Sequence, residues 1–137
     1  MKKIIIHGRK MVGGKVTAEA LVSQKAIGGF GSVDPGAGKY TERTHENCGC
    51  CFTGKILVFP NAKGSSGWSA NWKFTRDRGT RPAGMLVRDV GSRSALGAVV
   101  MDIPAMTDFD IDPLSVIETG DLVEIDADAG IVTVTKK

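Results

Sequence analysis

The chain has 137 residues, 42% of them hydrophobic and 24% charged, with a formal net charge of +3. That is enough for one domain with a genuine core, so a single domain over residues 1–137 is expected. The small, dispersed positive balance excludes an electrostatic argument for nucleic acid, and 6% aromatic content excludes a base-stacking platform. No apolar run approaches a membrane span, and the opening 1–7 segment has too short an apolar stretch for a signal peptide. The expected compartment is the cytoplasm.

The 18 glycines fall between short β-like runs, which points to many strands and few helices. Ile4, Ile5 and Ile6 read as a first strand, and residues 9–14 as a turn. Residues 15–23 alternate over most of their length and predict a second, half-buried strand. Residues 26–40 hold five glycines and Asp34-Pro35, the composition of an irregular loop that brings backbone close to a ligand or lies plainly on the surface. Residues 41–53 contain the three cysteines, Cys48, Cys50 and Cys51, with His45 just before them. Thiolate and imidazole suit zinc or iron, but C-x-C-C is not the C-x-x-C knuckle, and no second cysteine pair follows. Reduced thiols near a partner or a site are the preferred reading, and a metal site at His45, Cys48, Cys50 and Cys51 the lesser one.

The segment that organises the chain follows. Ile56–Phe59 is an apolar, β-branched and aromatic run that predicts a buried strand, ended by Pro60. A polar loop over 61–67 leads into a helix in which Trp68, Trp72 and Arg76 recur every four residues and Gly79 takes the C-cap position. Strand, polar loop and helix N-terminus form a good place to hold an anion, because the first helical turn leaves N–H groups unpaired at a positive dipole end. Lys63, Gly64, Ser65 and Ser66 lie in that loop. Its spacing fits neither a Walker loop nor a nucleophile elbow, and either serine alone reads equally as a helix cap. Residues 84–88 read as another buried strand and Ser92–Met101 as a second helix, ended by Ile103-Pro104. That order implies a parallel βαβ unit, whose ligand would lie at the carboxyl ends of the strands. Residues 121–135 alternate around a turn at 126–130 and predict a closing hairpin. The expected fold class is therefore α/β and β-rich, with two main helices on a sheet and a C-terminal hairpin.

An ordered set of short motifs carries a resemblance. Gly13-Gly14-Lys15-Val16 with Glu19-Ala20-Leu21-Val22-Ser23 is followed by Gly31-Ser32-Val33-Asp34-Pro35, Gly38 and His45. Then come Gly54 to Pro60, Gly64-Ser65-Ser66, Pro82 to Arg88, and Ala95-Leu96-Gly97-Ala98. Together these resemble the small subunit, or swivelling domain, of the aconitase X family. The resemblance implies a swivelling β/β/α domain that closes over a separate large subunit. It implies an iron–sulfur cluster or iron in that subunit and no cofactor in this chain, and dehydration of a small hydroxy acid. Of the family's substrates, cis-3-hydroxy-L-proline is slightly preferred and a phosphorylated mevalonate comes next. The family's catalytic serine falls on Ser65, with Lys63, Gly64, Ser66 and Asp34 as expected substrate-binding residues. Where the family's loop usually reads Gly-Arg-Gly-Ser, this chain has Ala62-Lys63-Gly64-Ser65, which keeps the charge but loses the bidentate fork. A serine base needs donors that stabilise its alkoxide, and departure of the hydroxyl needs a Lewis acid that the sequence does not supply. The expected partners are thus a large catalytic subunit and a small hydroxy acid, without nucleic acid or membrane. Two other readings are a non-catalytic swivelling interaction or phosphocarrier module, and a self-sufficient metalloprotein using His45 and the cysteines.

Overall fold

The computed structural model describes residues 2–29, 32–63 and 67–137. In chain order the elements are β1 (Lys3–His7), β2 (Arg9–Val12), β3 (Lys15–Val22), the short pair β4 (Val33–Asp34) and β5 (Lys39–Tyr40), and β6 (Ile56–Phe59). There follow α1 (Trp68–Arg78), β7 (Gly84–Val87), α2 (Ser92–Met101), β8 (Ala105–Thr107), α3 (Pro113–Val116), β9 (Leu122–Asp126) and β10 (Ile131–Thr135). Among the described residues, eight strands line up in the order β1-β10-β9-β3-β6-β7-β8-β2.

β3 joins two layers. Its residues 15–19 lie antiparallel to β9, and its residues 20–22 run parallel to β6. The opposite ends of the order, β1 and β2, are consecutive in the chain with Gly8 between them, so the backbone itself links the two layers a second time. β3, β6, β7 and β8 are mutually parallel, and α1 and α2 are the crossovers that such pairing requires. The result is β/β/α: one sheet, a second sheet, and two helices packed on it.

This layering explains why the 56–59 run is apolar throughout. Alternate strand residues face opposite sides, and both sides of β6 are covered. Ile56 and Val58 enter the core between the sheets with Ile6, Val123, Ile125, Val132 and Val134. Leu57 and Phe59 enter the core beneath the helices with Trp68, Trp72, Met85, Ala98 and Met101. All four β6 residues are fully buried. The helical spacing expected of α1 is met, with Trp68, Asn71, Trp72 and Thr75 buried along one face and Gly79 closing the helix at φ 75°. Asp102, also left-handed, closes α2 just before Ile103-Pro104.

Residues 9–14 are not simply a turn. Arg9–Val12 forms β2, pairs antiparallel with β8 across a bulge, and leaves only Gly13 and Gly14 to turn. The strand was hidden because its two adjacent cations, Arg9 and Lys10, point into ion pairs with Asp108 and Asp128 at the surface rather than into a core. β8 and α3 were not anticipated either. β8 is a three-residue strand after a proline, and α3 is a single turn built on the N-cap Asp112, whose side chain accepts from the Leu114 N–H at 3.0 Å. No helix among the described residues is long and apolar enough to cross a membrane.

Candidate functional site

The carboxyl ends of β3 and β6 lead into the two loops that the sequence marked. From β6, residues 61–63 lie beside Ile27 in a single parallel bridge: the Ile27 N–H donates to the Asn61 carbonyl at 3.1 Å, and the Lys63 N–H donates to the Ile27 carbonyl at 2.9 Å. α1 then fixes the glycine loop from the other side. Trp68 Nε1 donates to the carbonyl of Ile27 (2.9 Å), Trp72 Nε1 to that of Gly28 (3.1 Å), and Asn71 Nδ2 to that of Gly29 (3.0 Å). Three consecutive buried carbonyls of an irregular segment thus find partners on one helix face. The approach is close enough that a Cβ on Gly29 would sit 2.7 Å from the Trp68 Cα, so glycine is required there by space.

Lys63 ends this built segment. Its Nζ lies 2.6 Å from Glu42 Oε1, and the same oxygen accepts from Ser32 Oγ at 3.4 Å. Lys63 is half-exposed and Glu42 largely covered, with side-chain exposures of 47% and 20%. The pair therefore presents a cation at the surface over a carboxylate held beneath it. α1 starts two residues beyond the 64–66 loop with Gly67 as N-cap. A glycine cap offers no side chain to the first-turn N–H groups, and no acidic residue lies in that turn. Among the described residues, the cap itself supplies no side-chain acceptor to this positive helix end. The expected Gly64, Ser65 and Ser66 lie outside the described residues.

Asp34 has a different setting. Its Oδ1 accepts from the N–H groups of Gly36 (3.0 Å) and Ala37 (3.2 Å), closing the β4–β5 turn. It lines a cavity with Asn71, Phe74 and Arg78, one that does not include Lys63.

His45 is buried, stacks on Tyr40 at 5.2 Å, and accepts the Asn47 N–H on Nδ1 at 3.0 Å. The proton therefore sits on Nε2, which has no hydrogen-bond partner among the described residues. Burial holds this imidazole below its ordinary pKa, against the opposing pull of Glu46 and Glu42, so the ring is neutral at pH 7. Cys48, Cys50 and Cys51 are free and exposed. Among the described residues, no group of three or more histidine, cysteine or acidic side chains is placed to hold a metal ion. The buried imidazole and the three surface thiols do not converge.

Glu42 was missed in the sequence. It is one carboxylate in a loop without periodicity, and only the long-range approach of the 26–40 and 61–63 segments gives it Lys63 as a partner.

Comparison with known proteins agrees with this fold. A family model described as the aconitase X swivel domain matches residues 5–134. The phosphomevalonate dehydratase small subunit of Methanocella arvoryzae is 36% identical over 127 residues, covering 93% of this chain and 96% of its own. The protein of the same description from Thermococcus kodakarensis is 36% identical over 129 residues, covering 94% and 95%. The crystal structure of Thermococcus kodakaraensis aconitase X in its holo-form superposes with a TM-score of 0.90 at 35% identity, over 97% of this chain and 99% of that one. With its β/β/α layering and matches across nearly its whole length, the chain belongs to the aconitase X swivel domain family.

Proposed function

We propose that this chain is the small subunit of an aconitase X-type hydro-lyase and that it works against a larger subunit carrying an iron–sulfur cluster or iron. The observation that carries the reading is the Lys63 ammonium, held over Glu42 just beyond the carboxyl end of β6, in the segment that leads to the positive end of α1. Such a place stabilises developing negative charge. Ser65, two residues along the chain from both Lys63 and Gly67, is the proposed base.

In the dehydration, the base takes the proton from the carbon next to the substrate carboxylate. The hydroxyl on the adjacent carbon departs, and the electron pair becomes the new double bond, so that one water is lost in sum. The partner's iron supplies, when bound, Lewis-acid assistance to the departing hydroxyl. This chain's own residues hold the anionic substrate and receive the proton. Neither His45 nor the cysteines offer a fitting site for that iron, since they are not gathered on one point.

The substrate preference is revised. The relatives compared above are named for phosphomevalonate, not for cis-3-hydroxy-L-proline. The test is to co-express the chain with its large subunit, load the iron anaerobically, and follow alkene formation by NMR on 5-phosphomevalonate and on cis-3-hydroxy-L-proline. Turnover of the phosphorylated acid by the pair, and by neither subunit alone, is expected. Turnover of the proline alone, or by this chain without its partner, would contradict the proposal.

A further inference from the structure

A second feature of the fold has no place in that chemistry. Beneath the N-terminal half of α2 lies a cavity of about 430 Å³, the size of a small-molecule site. Its polar wall is built from Arg9 and Lys10 of β2, the Gly91-Ser92 start of α2, and Thr107 of β8. Its apolar wall includes Met11, Ala95 and Val99. No acidic residue lines it.

Two independent observations point to an anion. The first is the helix end itself: α2 has ten residues, its N-cap Gly91 has no side chain to cap with, and no acid lies in its first turn. The second is Thr107. It is fully buried, yet its Oγ1 has no hydrogen-bond partner among the described residues. Strand alternation sets its direction. Met106 enters the core between the sheets, so Ala105 and Thr107 face the helices, and Thr107 lines this cavity. A buried hydroxyl is normally paired, and an unpaired one lowers stability until something accepts from it. Arg9 stands directly opposite Thr107 in the β2–β8 register and so shares its face. The carboxylates that Arg9 and Lys10 meet, Asp108 and Asp128, are more than half exposed, and such pairs are weak enough to yield to an incoming anion.

We infer that the α2 cavity is an anion-binding site for a phosphate monoester with a short aliphatic chain, the phosphate between Arg9, Thr107 Oγ1 and the α2 N-terminus, the chain along Met11, Ala95 and Val99. It is independent of the dehydratase reading, because it uses no residue of the 61–67 loop.

The test is a titration of the ¹⁵N-labelled full chain with inorganic phosphate, n-butyl phosphate and n-butanol at constant ionic strength. n-Butyl phosphate is expected to give saturable shifts centred on the amides of Met11, Gly91, Ser92 and Thr107. It should bind about tenfold tighter than inorganic phosphate, the gain from burying somewhat less than half of the four-carbon chain at about fourfold per carbon; n-butanol should give no saturable shifts. Thr107→Val removes the unpaired hydroxyl at constant shape, so it should leave the melting temperature unchanged or raised while weakening n-butyl phosphate about tenfold. Arg9→Gln, on the surface, should weaken both phosphates with the fold intact. Shifts that do not saturate, shifts centred elsewhere, or unchanged affinity in both variants would overturn the inference.

Discussion

At the scale of single residues, the proposed site turns on Lys63 and on what holds it. Lys63→Ala removes the surface cation but leaves Glu42 and the α1 end, so substrate binding should suffer more than the chemical step. A rise in KM of about tenfold with a smaller fall in kcat is expected in steady-state kinetics of the complex. Lys63→Arg should retain most activity. A kcat loss without a KM change in Lys63→Ala would instead place the ammonium at the transition state alone. His45 makes a prediction about pH. The unfolded chain takes up a proton near pH 6.5, whereas burial denies that proton to the folded imidazole. The unfolded state thus binds more protons below that pH, and stability contributed by His45 is full above it and falls as pH drops toward 5. His45→Phe, which keeps a ring against Tyr40, should flatten the fall in melting temperature between pH 7 and 5; an unchanged slope would mean that the imidazole charges freely in the fold. Lys63 was readable from sequence because strand, loop and helix are local patterns. Glu42, the turn-closing role of Asp34 and the burial of His45 were not, since each depends on where an irregular loop comes to rest.

At the scale of elements, the tight fit of α1 and α2 makes the clearest case. A Cβ on Gly97 would lie 2.2 Å from the ring of Trp68, which is itself buried and tied through Nε1 to Ile27. Two effects oppose each other in Gly97→Ala: helix propensity favours alanine by about 1 kcal/mol, while forcing apart a packed helix pair costs about 1–3 kcal/mol. Trp68 has no free direction in which to move, so overpacking wins. A net loss of up to about 2 kcal/mol in denaturant unfolding is expected; a stabilised variant would show that the two helices separate easily. β6, α1, α2 and the closing hairpin were all legible, because each has a periodicity that a packed face imposes. β2, β8 and α3 escaped, being too short or too charged to show a period; β2 and β8 exist because partners distant in the chain supply their hydrogen bonds, whereas α3 rests on its own N-cap, Asp112.

At the scale of the whole molecule, two sheets joined by β3 and by the bend at Gly8, with helices over one of them, form a rigid support for one loop-bearing edge. The parallel unit and the hairpin were both visible in the residues, and the resemblance implied the β/β/α order. It could not announce the double joining of the layers, which follows from pairings between the first strands and the last. The central claim is that this rigid edge delivers the base of a dehydratase to a partner's substrate. Its most direct test is the rate constant of the reconstituted, iron-loaded complex carrying Ser65→Ala, with Ser66→Ala as control and melting temperature measured for both. The account predicts that Ser65→Ala lowers kcat by about 10²–10⁴-fold with the fold unchanged, while Ser66→Ala keeps most of its rate. A Ser65→Ala complex that turns over within a few-fold of wild type would contradict it and move the base to the large subunit.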